Sequence, residues 1–107
     1  MDIEHWQSRL RTFSEQRDWL RFHTPKNLVM ALSVEVSELM EIFQWLTPEE
    51  SQLVMSGERG DDVADEIADA TIYLLRLADV LEVDLNNVVS RKVARNARRF
   101  PKQGHSR

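Results

Sequence analysis

The chain has 107 residues, a formal net charge of -4, 30% charged and 42% hydrophobic residues, and no cysteine. That length bounds it to one domain with a modest core that oligomerisation would help, and the missing cysteines exclude disulfides and thiolate metal sites and suit a reducing, cytoplasmic setting. The first residues lack the basic and apolar regions of a signal peptide, no apolar run approaches the roughly 20 residues that span a bilayer, and the negative total argues against general nucleic-acid binding.

From about Ile3 to Arg21, the apolar residues Ile3, Trp6, Leu10, Phe13 and Leu20 recur at helical spacing. Thr24-Pro25 reads as an N-cap followed by proline at the first helical position, opening a second helix to about Leu46. Thr47-Pro48 repeats the signal, with Glu50 at the capping-box position, and predicts a short helix to about Met55. Ser56 to Gly60 is a turn, and Asp61 or Asp62 starts a long helix to about Leu81. Asp84 caps a last helix to about Arg99, which Pro101 ends, leaving 102–107 as a disordered basic tail behind a single domain at 1–101. No strand or repeat stands out. The expectation is an all-α, four-helix-type bundle with a short extra helix, assembled as an oligomer.

The sharpest feature is a pair of acidic pairs. Glu35 and Glu38 are three apart, so a helix sets them side by side, among Leu28, Ala31, Leu32, Leu39, Ile42, Phe43 and Leu46. Glu66 and Asp69 repeat the spacing among Val63, Ile67, Ile72, Leu74, Leu75 and Leu77. Either pair alone reads as a solvated helix face. Two such helices packed antiparallel, with the pairs level, would gather four carboxylates into an oxygen cage of the kind hard divalent cations such as Mg²⁺ prefer. A carboxylate di-iron bundle needs Glu-x-x-His on two helices, and neither His5, His23 nor His105 follows a Glu at that spacing.

Aromatic residues flank these pairs. Tyr73 lies four past Asp69 and shares its face, Trp45 lies near the side of Glu35, and Trp19 and His23 are four apart, so an aromatic wall for a nucleobase is one reading and ordinary core packing the other. Lys92 and Asn96 are four apart on the last helix, within a basic segment running from Arg91 to Arg107. An acidic centre beside a basic segment suits an anionic, metal-bound ligand and equally suits contacts between subunits.

Together these residues resemble the all-α nucleoside triphosphate pyrophosphohydrolases of the MazG-like superfamily, whose hallmark is E-x-x-E on one helix and E-x-x-D on another. The likeness is greatest to the dCTP pyrophosphatase branch: Arg17-Asp18-Trp19, Phe22-His23, Pro25 and Asn27-Leu28 look like its entry segment, and Phe43-Gln44-Trp45 like the end of its central helix. Tyr73-Leu74 and Lys92, Asn96, Arg98-Arg99 and Pro101 look like its C-terminal half. Val34 stands where many MazG proteins carry a further Glu, which again matches that branch.

The resemblance implies hydrolysis of a nucleoside triphosphate, dCTP or a related or modified pyrimidine deoxynucleotide, to the monophosphate and pyrophosphate. It implies Mg²⁺, with Mn²⁺ able to substitute, held by Glu35, Glu38, Glu66 and Asp69, with Glu35 or Glu38 in the catalytic role. It also implies Trp19, His23, Trp45 and Tyr73 around the base, Lys92 and Asn96 on the substrate, and a homodimer or homotetramer with sites near subunit contacts. The alternative from another class is a non-catalytic helical interaction module whose acidic cluster binds a basic partner.

Overall fold

The computed structural model describes residues 1–103, and within them the chain is helical with no strand. Five α-helices follow in order: α1 (Ile3–Gln16), α2 (Pro25–Phe43), α3 (Pro48–Gln52), α4 (Gly60–Val80) and α5 (Leu85–Arg99). Short 3₁₀ turns at Leu20–Phe22 and Val54–Ser56 lead into α2 and α4. No helix among the described residues is long and apolar enough to cross a membrane. Of the expected tail, Lys102 and Gln103 carry no regular helix, and 104–107 lie outside the described residues.

The helix starts follow side-chain chemistry. Asp2, Thr24, Thr47 and Asp84 each accept a hydrogen bond from a backbone N–H three residues on, satisfying a donor that the first turn leaves free. Thr47 and Glu50 complete a reciprocal box, with Glu50 accepting from the Thr47 N–H at 2.8 Å.

Three boundaries differ from the sequence reading. The first helix stops at Gln16 rather than Arg21, because Asp18 turns left-handed at φ 55° and the 3₁₀ turn takes over the apolar pattern. The second ends at Phe43, short of Leu46. The fourth begins at Gly60, with Arg59 at the N-cap and no side-chain cap; Asp62 instead pairs with Arg59 at 2.8 Å. Gly60 is required there by proximity, since a Cβ would lie 2.5 Å from the Met55 carbonyl oxygen.

α4 is the shared partner of the body. It packs on α2, and together they bury Leu28, Ile42, Val63, Leu75 and Ala78. The two run antiparallel: His23, just before α2, meets Arg76 late in α4, while Glu38, late in α2, meets Glu66 early in α4. α1 lies along α4 in parallel, with the Gln7 Nε2 donating to the Leu75 carbonyl at 3.1 Å and Arg11 gripping Asp79 through two bonds of 2.9 and 2.6 Å.

α5 does not close this arrangement. It buries no residue, it has no extensive packing against any other helix, and Val89 and Val93 remain 55% and 60% exposed. Ile67, Ile72 and Leu74, expected in an apolar environment on α4, are also exposed in the single chain. The body of one chain is therefore α1, α2 and α4, and a fourth long helix does not join it.

Candidate active site

The antiparallel crossing of α2 and α4 brings the acidic pairs level. Glu35, Glu38 and Glu66 each offer a carboxylate oxygen within a cluster whose atoms all lie within 4.8 Å of one another. Asp69 lies outside that tight group, exposed, one turn further along α4, where it lines the same cavity as Glu35.

Charge of one sign at this spacing perturbs protonation. The pKa of Glu38 is raised, first because its protonated form hydrogen-bonds to Glu66 and then by the repulsion of the Glu66 charge. The pKa of Glu66 is raised through the same kind of bond to Glu35, with desolvation adding to it. Oε2 of Glu35 and Oε2 of Glu66 are buried and have no hydrogen-bond partner. A buried carboxylate oxygen left unpaired is costly, and a divalent cation removes both that cost and the repulsion. The donor set is all oxygen and fits a hard cation.

Beside the cluster opens a cavity of about 840 Å³ between α1 and α4. Its walls include Phe13, Trp19, His23 and Tyr73, with Glu35 and Asp69 also lining it. Phe13 and Trp19 meet edge to face at 5.6 Å, and the His23 ring follows at 6.5 Å from Trp19. The left-handed turn at Asp18 makes this possible, because it folds the chain back so that the Trp19 backbone N–H donates to the Ser14 carbonyl at 2.9 Å.

The remaining expected residues lie elsewhere. Trp45, just past α2, is 85% exposed, and neither it nor Lys92 or Asn96 on α5 lines the cavity. Conversely, two neighbours were not anticipated from sequence. Phe13 joins the aromatic wall, and Arg76 enters it from α4, only 3% exposed, donating to His23 Nδ1 at 3.3 Å and to Asp79 at 2.8 Å. The sequence signal for Arg76 was a lone cation inside the apolar run from Tyr73 to Ala78, with Asp79 three residues on.

Comparison with known proteins gives a consistent result. The MazG-like family model matches residues 30–107. The chain is 42% identical to dCTP pyrophosphatase 1 of Bos taurus and to that of Homo sapiens, each over 90 residues, covering 83% of this chain and 53% of the relative. It therefore spans about half the length of those relatives. Among solved structures, a pyrophosphatase from Archaeoglobus fulgidus DSM 4304 superposes with a TM-score of 0.87 at 45% identity, covering 95% of this chain and 94% of that one.

Proposed function

The chain belongs to the MazG-like family, and from that premise we propose that it hydrolyses a nucleoside triphosphate to the monophosphate and pyrophosphate, with a pyrimidine deoxynucleotide, dCTP or a modified relative, as substrate. The observation that carries this reading is the pairing of partnerless, buried carboxylate oxygens with an aromatic cavity that Glu35 also lines. The names of the relatives, dCTP pyrophosphatase 1 and pyrophosphatase, support the reaction class.

Glu35, Glu38 and Glu66, with Asp69 beside them, would hold Mg²⁺, and Mn²⁺ in its place. The chemistry such a cation supplies when bound is neutralisation of the anionic triphosphate oxygens. Trp19, His23 and Tyr73 enclose the base, and stacking on the aromatic faces orients it. A water molecule positioned by Glu35 or Glu38 attacks the α-phosphorus, and the carboxylate takes its proton. The bond from the α-phosphorus to the bridging oxygen breaks, and pyrophosphate leaves with the bonding pair.

Trp45, Lys92 and Asn96 do not line the cavity of their own chain. We therefore place them in a homodimer or a homotetramer built as a dimer of dimers, in which α5 of one copy reaches the cavity of the next. The exposed valines of α5 support that assembly.

The test is pyrophosphate release from a panel of canonical and modified deoxynucleoside triphosphates, with Mg²⁺ and with EDTA. Release that requires the metal and favours one or two pyrimidines is expected. No release from any nucleotide, by folded and metal-replete protein, would turn the reading to the interaction module.

A further inference from the structure

Arg76 is the least expected charge in the molecule. It is 3% exposed on α4, and a buried guanidinium persists only where its donors are engaged. Its Nη1 donates to Asp79 Oδ2 at 2.8 Å, and Asp79 is gripped from the other side by Arg11 through 2.9 and 2.6 Å bonds. The carboxylate is thus saturated by two cations, and the Arg76 fork is fixed in the plane this allows. Its remaining anchored donor, Nε, points at Nδ1 of His23 at 3.3 Å.

A guanidinium has five donors and no acceptor, so the nitrogen it faces must carry a lone pair. With Nδ1 bare, a neutral imidazole holds its proton on Nε2. Burial and the adjacent Arg76 charge both push the His23 pKa down, which keeps the ring neutral. Among the described residues, Nε2 has no hydrogen-bond partner within the chain, and the ring lines the aromatic cavity.

We infer that Arg76 is a positioning residue that fixes the tautomer of His23, so that the imidazole presents a donor, Nε2–H, to a ring-nitrogen acceptor of the bound base. The inference rests on the nucleotide reading above and adds the group that sets its choice of base. Cytosine has a bare N3, which accepts. Uracil and thymine have N3–H, which would meet Nε2–H donor to donor. A site committed to one polarity rejects the other by leaving a buried group unpaired. Without Arg76 the imidazole is free to move its proton to Nδ1 and accept from N3–H.

The experiment has two arms. Long-range ¹H–¹⁵N spectra of the wild-type protein near neutral pH, with His23 assigned by comparison with His23→Gln, read which nitrogen is protonated. Nε2–H alone is expected, with its signal shifting on addition of dCMP; a proton on Nδ1, or no shift with dCMP while dCTP is turned over, would overturn the inference. This arm needs no Arg76 variant to fold. The second arm compares dCTP with dUTP in Arg76→Gln. The preference for dCTP is expected to fall about tenfold, carried by KM with kcat nearly unchanged. An unchanged preference in the folded variant, or an equal loss of kcat on both nucleotides, would reduce Arg76 to a structural ion-pair partner. Should no nucleotide be hydrolysed at all, the functional reading fails, and the wild-type tautomer still decides whether Arg76 fixes the ring.

Discussion

Glu35, Glu38 and Glu66 lie so close that protonation relieves them. Because the folded pKa values of Glu38 and Glu66 are raised above an ordinary carboxylate near 4.3, the metal-free native chain holds protons that the unfolded chain releases. Its stability therefore falls as pH rises from that ordinary value through the raised ones. A divalent cation competes with those same protons, so its binding should expel them. Calorimetry with Mg²⁺ in two buffers of different ionisation enthalpy should find more proton release near about pH 5 than near about pH 8; equal release at both would argue against these ligands. Glu38→Gln preserves shape, and should leave the fold intact while lowering kcat by at least about a hundredfold. Near-normal turnover would remove Glu38 from the mechanism. The acidic pairs were legible in the sequence because a three-residue spacing fixes a shared helix face. The position of Asp69 outside the tight cluster was not, since the rotation of α4 against α2 decides it. For Arg76 only half was legible: Asp79 stands three residues on, but the Arg11 that grips Asp79 from the other side lies 68 positions from it in sequence.

At the scale of elements, three of the four side-chain caps among the described residues were read from sequence, the Asp2 cap of α1 being the one missed. Thr24, Thr47 and Asp84 open their helices as their types require. The other failures came where the backbone turns without such a signal: at Asp18, whose left-handed φ no apolar pattern announces, and at Gly60, which starts α4 by close approach rather than by a cap. Gly60 gives a prediction with opposing terms. Alanine inside a helix is ordinarily favoured over glycine by about 1 kcal/mol. Here the new methyl would meet a carbonyl oxygen at 2.5 Å, a backbone atom that cannot rotate away. Gly60→Ala should therefore destabilise by about 1–3 kcal/mol, as overpacking does. Urea denaturation measures it, and a more stable variant would mean that the segment from Val54 to Arg59 yields freely.

The whole molecule is larger than its mass allows for a compact monomer. Its radius of gyration is 17.5 Å, against about 13 Å for a compact chain of 107 residues. Its accessible surface is 8597 Å², against roughly 6,200 Å² for a globular chain of 12.5 kDa. The difference is of the size that stable oligomer interfaces bury. Val89, Val93 and Phe100 along and just past the last helix, Trp45 just past α2, and Leu53 and Met55 after α3 contribute to it. Light scattering at micromolar concentration should give a dimer or a larger assembly, and Val93→Asp should lower both the measured mass and the turnover; a wild-type monomer with full turnover would refute the assembly. The outward reach of α5 has a genetic corollary. If each cavity borrows Lys92 and Asn96 from a neighbour, Glu38→Gln and Lys92→Ala chains, each silent alone, would regain part of their turnover when refolded together, because some cavities would draw both halves from sound copies. In a cell carrying one sound and one Glu38→Gln allele, the damaged chain would still donate a usable α5, so its effect on the sound one would be mild.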